Sequence, residues 1–226
     1  MQEESKRTAA VCAANYVKDG MIIGLGTGST ATFFIKKIGE LVASGLSIHA
    51  VSTSEQSSIL AKKMNIPLLP VDQVDHIDLT IDGADEVDPL FNGIKGGGGA
   101  LLFEKIVARS SKQNIWIVDK SKLVSRLGRF PVPVEIVPFG YTHTLKKLEE
   151  LQCKPVLRKT DDHFYLTDSK NYIADLHFNT IMNPEETEKL LSLIPGVVET
   201  GLFIGIAGMV IVGDGDQCKI LQKPLS

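Results

Sequence analysis

The stretch from Asp82 to Lys105 concentrates the residue types that can do chemistry. It holds the acidic run Asp82-Gly-Ala-Asp-Glu-Val-Asp88, then Lys95 before four consecutive glycines, and then Glu104. Ordering consecutive glycines costs much backbone entropy, so such a run is typical of a backbone that must lie close to a ligand. Amide N–H groups with no Cβ beside them can surround an anion. The stretch therefore predicts an anion-binding loop flanked by a cation and a carboxylate.

Glu104 is the candidate general base. A carboxylate close to a lysine and to backbone dipoles can remove a proton next to a carbonyl group, and such catalysis contributes about 10²–10⁴ in rate. Lys95 or the glycine amides would stabilise the enolate-like charge that develops. The structural alternative is an exposed helical glutamate that pairs with Lys105 or Arg109.

Asp82 and Asp85 have two interpretations. Asp-Gly is a common turn and aspartate a common helix cap, which are structural roles. A site for a polyhydroxylated molecule would instead use both carboxylates as acceptors for hydroxyl groups. The spacing of the acidic run does not match an EF-hand loop and no histidine accompanies it, so we predict no metal site.

A second glycine-rich loop, Gly24-Leu-Gly-Thr-Gly-Ser-Thr30, joins a predicted strand to a predicted helix. It lacks the Gly-Lys-Ser/Thr of a Walker A loop, and Ser29 stands where the dinucleotide-binding pattern has its third glycine. The next strand ends without the acidic residue that would bind a ribose diol, which disfavours an NAD-dependent oxidoreductase. The loop suits a single phosphate group at a helix N-terminus, or is simply a capped βα turn.

The composition is that of an ordinary globular protein: 226 residues, 43% hydrophobic and 23% charged, with a net charge of −3. This balance gives no basic footprint for nucleic acid, and no cationic cluster indicates a membrane surface. We expect neither a signal peptide nor a membrane span. Cys12, Cys153 and Cys218 lie far apart, which argues against a disulfide framework or a zinc site and favours a reducing, cytoplasmic compartment.

Strand and helix patterns alternate up to Lys122, as is typical of βαβ units and a parallel sheet. The predicted strands are 21–24, 47–51, 66–69, 76–81 and 114–118. The predicted helices are 3–18, 31–43 (capped by Ser29 or Thr30), 55–64 and 100–109. Ligands bind beyond the carboxyl ends of such strands, and four polar loops fall there. These loops are 24–30, 52–55, 82–85 and 119–122.

The pattern changes after Phe130, where Pro131, Pro133 and Pro138 punctuate the chain. Predicted helices at 141–151 and 184–193, with strands at 154–158, 164–167, 172–178 and 197–203, indicate a small α+β domain of ferredoxin-like type. Strands at 209–212 and 219–221 predict a terminal hairpin that returns to the first sheet. We therefore predict an α/β fold with a Rossmann-like catalytic domain (1–130 and 205–226) and a small inserted α+β domain (131–204).

Several motifs together resemble the type A ribose-5-phosphate isomerase family. They are Gly-Leu-Gly-Thr-Gly-Ser-Thr, Asp-Gly-Ala-Asp-Glu-Val-Asp, Lys-Gly-Gly-Gly-Gly-Ala-Leu-Leu-Phe-Glu-Lys, Phe-Pro-Val-Pro-Val-Glu-Ile-Val-Pro and Ile-Pro-Gly-Val-Val-Glu-Thr-Gly-Leu-Phe. Their order and spacing agree with the family across nearly the whole chain. The resemblance implies interconversion of D-ribose 5-phosphate and D-ribulose 5-phosphate in the pentose phosphate pathway. It also implies an enzyme without a cofactor that is usually a homodimer and sometimes a tetramer.

The resemblance further implies roles for individual residues. Glu104 matches the general base that moves a proton between the first two sugar carbons through an enediolate. The matching substrate-binding positions are Lys6, Thr27, Gly28, Ser29, Thr30, Asp82, Gly83, Ala84, Asp85, Lys95, Gly96, Gly97, Gly98 and Lys122. Lys6, Ser29 and Thr30 match positions near the phosphate. Phe103 departs from the family, in which an arginine commonly precedes the glutamate.

A non-catalytic sugar-phosphate sensor is the competing hypothesis, since related folds serve as effector domains of bacterial regulators. The sequence has no basic helix-turn-helix segment, and a sensor has no need of Glu104. The expected partner is thus a small sugar phosphate, and neither nucleic acid nor a membrane.

Overall fold

A computed structural model describes residues 2–223 of the chain. Within this range, residues 2–84, 103–123 and 206–223 form one compact unit, and residues 85–102 and 124–205 form a second. The division predicted from sequence differs in assigning residues 85–102 and 124–130 to the first domain. Its boundaries near residues 130 and 205 stay a prediction.

The helices and strands are named in chain order. The helices are α1 (Gln2–Ala14), α2 (Ser29–Ala43), α3 (Glu55–Lys63), α4 (Leu101–Arg109), α5 (Tyr141–Glu149) and α6 (Pro184–Ser192). The strands are β1 (Ile22–Leu25), β2 (His49–Ser52), β3 (Ile77–Gly83), β4 (Glu86–Val87), β5 (Gly93–Ile94), β6 (Ser111–Asp119), β7 (Val132–Ile136), β8 (Lys154–Leu157), β9 (Lys159–Thr160), β10 (His163–Phe164), β11 (Tyr172–His177), β12 (Val197–Thr200), β13 (Leu202–Phe203), β14 (Met209–Asp214) and β15 (Gln217–Gln222).

The first unit is built on a six-stranded sheet in the order β15-β14-β6-β3-β1-β2. Strands β14, β6, β3, β1 and β2 pair in parallel, and β15 pairs antiparallel with β14. The predicted parallel sheet and its returning hairpin are thereby confirmed. Because the carboxyl ends of parallel strands meet at one edge, the loops after β1, β2, β3 and β6 share that edge.

Apolar residues at alternate positions of the sheet bury one face against helices. Ile23, Leu79 and Ile115 belong to a single buried core together with Ala9 of α1 and Phe34 of α2. On strand β1, Gly24 faces the other way, where a Cβ atom would lie 2.9 Å from the Val107 side chain of α4. Helices therefore cover both faces, as in other α/β sheets.

The second unit contains a four-stranded antiparallel sheet in the order β12-β7-β11-β8. In chain order its elements run β7-α5-β8-β11-α6-β12, which is the βαββαβ arrangement of ferredoxin-like domains. Val134 and Leu176 of the sheet share a core with Leu148 of α5 and Leu191 of α6. The same unit holds a three-stranded sheet, β13-β5-β4, and the hairpin β9-β10.

The structure departs from the predicted strands in several places, and the strand predicted at 164–167 is reduced to β10, His163–Phe164. Strand β7 was not predicted, because Pro133 lies inside it; the Pro133 carbonyl accepts from the Gly201 N–H at 2.6 Å. The strand predicted at 197–203 is two strands in different sheets, β12 and β13. The strand predicted at 66–69 is only a bridge from Leu68 to Ala50.

The expectation of no disulfide is wrong. Cys12 on α1 pairs with Cys218 on β15, with their Cα atoms 6.8 Å apart. The spacing of cysteines along the chain does not report that the first helix and the last strand are neighbours. The cysteine pattern therefore no longer supports a reducing compartment.

No helix among residues 2–223 is long and apolar enough to cross a membrane. The same range contains no group of three or more His, Cys, Asp or Glu side chains placed to hold a metal ion.

Candidate functional site

The loop after β1 is built around the carboxylate of Asp82, which lies in β3 and is 2% exposed. Asp82 Oδ1 accepts from the Thr27 N–H at 3.0 Å and from the Gly83 N–H at 2.7 Å. Gly26 must be glycine, because a Cβ atom there would lie 2.6 Å from the Asp82 Cα atom. A buried carboxyl group thus fixes the backbone of the loop that follows β1.

A cluster of hydroxyl groups fixes the same loop from the other side. Thr27 Oγ1 lies 2.7 Å from Thr53 Oγ1 and donates to Ser54 Oγ at 2.8 Å. Ser57 Oγ donates to the Gly26 carbonyl at 2.7 Å. The Thr27 side chain is therefore buried within the protein, where its hydrogen bonds hold the loop. Thr53, Ser54 and Ser57 were not among the predicted site residues, although the Ser-Thr-Ser run after the second strand was recognised as a polar loop.

The N-terminus of α2 follows the loop after β1 directly. Its N-cap residue is Gly28, at φ 101°, which has no side chain with which to cap this end. The prediction that Ser29 or Thr30 caps the helix is wrong, since Ser29 is already its first residue and is exposed. Lys6 of α1 donates from Nζ to Ser29 Oγ at 3.0 Å. A lysine beside an uncapped helix N-terminus is an arrangement that binds a phosphate group.

Glu104 lies in the first turn of α4 and is 3% exposed, so it is not the exposed helical glutamate of the structural alternative. Lys122 follows β6 in the 3₁₀ turn Lys120–Lys122 and is partly exposed. That turn is capped by Asp119, whose Oδ1 accepts from the Ser121 N–H at 3.0 Å. In the first unit, the loops after β1, β3 and β6 thus bring predicted site residues to one sheet edge.

The glycine run belongs to the second unit and begins after β5. Lys95 is 2% exposed; its N–H donates to the Gly201 carbonyl at 2.9 Å, and its Nζ lies 5.3 Å from the centre of the Phe203 ring. Gly96 adopts φ 94°, a left-handed conformation that favours glycine. The Gly97 N–H donates to Asp85 Oδ2 at 2.8 Å, so this amide, which was expected to face an anion, is held by the protein.

Every acidic side chain of the Asp82–Asp88 run accepts from backbone N–H groups. These contacts are Asp82 with Thr27 and Gly83, Asp85 with Gly97, Glu86 with Gly128 and Phe130, and Asp88 with Leu90 and Asn92. The acidic motif therefore holds the backbone of several loops in place through hydrogen bonds. The structural role weighed for Asp82 and Asp85 is present.

Arg158 and Tyr165 also contact the glycine run, and sequence reasoning missed both. Arg158 Nη1 donates to the Gly96 carbonyl at 3.2 Å and to the Gly97 carbonyl at 3.1 Å. Tyr165 Oη donates to the Gly98 carbonyl at 3.4 Å. Their segment lies far along the chain from the run, and no local pattern marks either residue.

Comparison with known proteins identifies the family. Residues 49–217 match the family model of ribose 5-phosphate isomerase A (phosphoriboisomerase A). The ribose-5-phosphate isomerase A of Streptococcus uberis is 49% identical over 223 residues, which cover 98% of this chain and 99% of that protein. The chain belongs to the ribose-5-phosphate isomerase A family.

Solved structures agree with this membership. A D-ribose-5-phosphate isomerase in complex with phospho-erythronic acid superposes with a TM-score of 0.95 at 42% identity, covering 98% of this chain and 99% of that one. The ribose 5-phosphate isomerase from Plasmodium falciparum superposes with a TM-score of 0.95 at 37% identity, covering 99% and 100%. The predicted fold class and family are thereby confirmed, and neither the sensor nor the NAD-dependent oxidoreductase is favoured.

Phe103, which departs from the family pattern, lies in α4 next to Glu104. It lines a groove on the first unit together with Leu69, Val71, Ile106 and Val107. Its surroundings in that groove are largely apolar, and an arginine at this position would place a charge there. The same groove also contains Lys62 and Asp72, so local packing alone does not explain the phenylalanine.

Proposed function

We propose that this chain interconverts D-ribose 5-phosphate and D-ribulose 5-phosphate, with Glu104 as the base that moves the proton. An aldose–ketose isomerase is the activity of the family to which the chain belongs. The observation that carries the proposal is the buried carboxylate of Glu104 in the first turn of α4, at the position where the family motif has its base.

The proposed reaction moves one proton from C2 to C1 through Glu104 and a second proton between the two oxygen atoms. Glu104 removes the proton from C2 of the open-chain aldose, the electron pair forms the C1–C2 double bond, and the carbonyl oxygen on C1 becomes anionic. Glu104 then returns the proton to C1, and the proton of the C2 hydroxyl passes to the anionic oxygen on C1, which leaves a ketone at C2 and a hydroxyl group at C1. The intermediate is an enediolate, and the positions proposed to stabilise its charge are Lys95, Gly96, Gly97 and Gly98.

The phosphate group is proposed to bind at the N-terminus of α2. Three observations support this. The N-cap residue Gly28 has no side chain, Ser29 is exposed, and the Lys6 ammonium group donates to Ser29 Oγ. Backbone N–H groups of Ser29 and Thr30 would meet the phosphate oxygens, and Lys6 would offset their charge. Fixing the phosphate orients the sugar, which reduces the entropy lost on reaching the transition state.

The other predicted positions complete the proposal. Asp82, Gly83, Ala84 and Asp85 are proposed to position the sugar hydroxyl groups, and Lys122 to contact the substrate from the turn after β6. Thr27 is proposed to act through the loop that it holds in place. Neither a metal ion nor an organic cofactor enters these steps, because the protons move between carbon, oxygen and a carboxylate.

A homodimer and a cytoplasmic location are also proposed. The first rests on the family resemblance, and sedimentation of the purified protein would measure it. The second rests on the phosphorylated substrate that the family uses, since the cysteine pattern no longer supports it.

The test is formation of ribulose 5-phosphate from ribose 5-phosphate with a chelator present, in the wild type and in Glu104→Gln. We expect metal-independent turnover whose kcat falls by about 10³ in the variant, because the amide cannot accept the proton. Turnover that survives the substitution would place the base elsewhere. Tight sugar-phosphate binding without wild-type turnover would favour the sensor.

A further inference from the structure

Arg158 is the only arginine that the described hydrogen bonds place against the glycine run, and the proposed chemistry does not yet use it. It follows β8, and its side chain is mostly buried, with 17% of its surface exposed. The guanidinium group forms a two-pronged ion pair with Asp175 of β11, in which Nε donates to Oδ2 at 2.9 Å. This pair aims the remaining edge of the guanidinium group at the carbonyls of Gly96 and Gly97.

Holding these carbonyls also fixes the direction of the neighbouring N–H groups. A trans peptide unit is planar, and its C=O and N–H point in opposite directions. The Gly96 carbonyl shares a unit with the Gly97 N–H, and the Gly97 carbonyl shares a unit with the Gly98 N–H. Arg158 therefore turns both N–H groups to the side away from the guanidinium group.

The contact of Asp85 agrees with this geometry. The Gly97 N–H, which Arg158 turns away from itself, donates to Asp85 Oδ2 at 2.8 Å. The Gly98 N–H belongs to the next peptide unit, and both Gly97 and Gly98 are exposed. The tip of the run is thus held at its carbonyls and at one amide, and it is accessible to a ligand.

Tyr165 supports the same arrangement. Its backbone N–H donates to the Arg158 carbonyl at 2.9 Å, its ring centre lies 5.8 Å from Arg158 Cζ, and its hydroxyl group donates to the Gly98 carbonyl at 3.4 Å. Gly99 must be glycine, because a Cβ atom there would lie 2.6 Å from Tyr165 Cζ. The three carbonyls of Gly96, Gly97 and Gly98 are therefore all held by donors from the segment 158–165.

We propose that Arg158 is a positioning residue for the isomerisation, which directs the Gly98 N–H toward the oxygen anion that develops on the substrate. The inference rests on the proposed function and adds a residue to it. A fixed donor costs no reorganisation when the charge forms, and a cation on the carbonyl side polarises the peptide unit so that its N–H is a stronger donor. Arg158 itself does not touch the reacting atoms.

The test separates positioning from a purely structural role. Arg158→Lys retains a cation that can pair with Asp175 but loses the fork that reaches both carbonyls. Asp175→Asn weakens the ion pair but retains the guanidinium group and its carbonyl contacts. Arg158→Met removes both. For each variant we would measure melting temperature, kcat and KM for ribose 5-phosphate, and the inhibition constant of phospho-erythronic acid.

Phospho-erythronic acid is a suitable probe because its carboxylate shares one negative charge between two oxygen atoms, as an enediolate does. We expect Arg158→Lys to lower kcat by about 10- to 100-fold, the size of effect seen when a reacting group is misplaced by about 1 Å. Its inhibition constant should rise in parallel, while KM changes by less than about threefold. Asp175→Asn weakens the pair that orients the guanidinium group but keeps the guanidinium group itself, so it should lower kcat less than Arg158→Lys does.

A structural role alone predicts a different pattern, in which Arg158→Met and Asp175→Asn lose melting temperature together. If Arg158→Lys has wild-type kcat and wild-type affinity for phospho-erythronic acid, the inference is overturned. Failure of Arg158→Met to fold leaves Arg158→Lys as the deciding variant. Wild-type enzyme with no turnover would overturn the proposed function itself, which distinguishes the two failures.

Discussion

The two glycine-rich loops, 24–30 and 95–99, share one type of hydrogen bond and differ in the other contacts that stabilise them. In each loop an aspartate of the Asp-Gly-Ala-Asp motif accepts a backbone N–H: Asp82 from Thr27, and Asp85 from Gly97. The first loop is further held by hydroxyl groups that follow the adjacent strand β2. The second is held by a guanidinium group 62 residues away along the chain.

The difference suggests a division of work. The first loop leads into an uncapped helix N-terminus with a lysine beside it, which suits a full charge that is present throughout the reaction. In the second loop, Arg158 and Tyr165 donate hydrogen bonds to the backbone carbonyls and so fix the direction of the peptide N–H groups. Donors fixed in advance suit a charge that appears only in the transition state. Substitutions in the first loop should therefore affect folding and KM. Substitutions of the residues that bind the carbonyls of the second loop should affect kcat.

The largest effect on folding is expected from Gly26→Ala. A Cβ atom at this position would meet the Asp82 main chain, whereas a Cβ atom at Gly97 would meet only the Asp85 carboxylate, 2.7 Å away. Gly26→Ala should destabilise the protein by about 1–3 kcal/mol, and Gly97→Ala by less. Thermal unfolding would measure both, with Gly208→Ala as the control because its nearest contact is at 3.9 Å. Equal losses at positions 26 and 97 would contradict the comparison.

Lys6→Met should act on substrate binding. The Lys6 ammonium group contacts Ser29 at the N-terminus of α2, where we place the phosphate group. Because this group is bound equally in the ground and transition states, KM should rise by about tenfold with kcat little changed. Lys37→Met is the matched control, since Lys37 lies on α2 and pairs with Glu40. A fall in kcat at constant KM would move Lys6 to the reacting end.

The smallest expected effects are opposite responses to pH in the two units. In the first unit, the Ile22 N–H and then Lys112 hold the pKa of Asp78 below its ordinary value. Its stabilising contribution is present above the ordinary aspartate pKa and is lost as the pH falls through the folded pKa. Asp78→Asn should therefore lower the free energy of unfolding by about 1 kcal/mol at neutral pH. The variant should also lose less of this free energy than the wild type does when the pH is lowered.

In the second unit, burial raises the pKa of Glu135, against the hydrogen bonds from Asn171 and Thr167. Its contribution is present below the ordinary glutamate pKa and is lost as the pH rises through the folded pKa. In Glu135→Gln, the melting temperature should therefore fall less than in the wild type as the pH rises toward neutrality. Melting temperatures measured from about pH 4 to neutrality would test both variants. Profiles that shift in the same direction would refute the assignment.

Features that depend on short segments of sequence could be predicted, and contacts between segments far apart in the chain could not. The parallel sheet followed from alternating strand and helix patterns, and the place of Glu104 in the first turn of a helix followed from the apolar pattern after the glycine run. Strand β7 was missed because Pro133 is atypical of a strand interior; it is tolerated where its carbonyl accepts from Gly201. Arg158 and the Cys12–Cys218 pair were missed because each contact joins segments that only the folded chain brings together.

The most direct test of the central claim is isomerisation in deuterium oxide, followed by NMR at the first two sugar carbons. The wild type should incorporate solvent deuterium at the reacting carbon of the product, because the proton passes through a carboxylate that exchanges with water. Glu104→Gln should lose both turnover and incorporation by about 10³ while it still binds phospho-erythronic acid. Incorporation at the wild-type rate in Glu104→Gln would contradict the account.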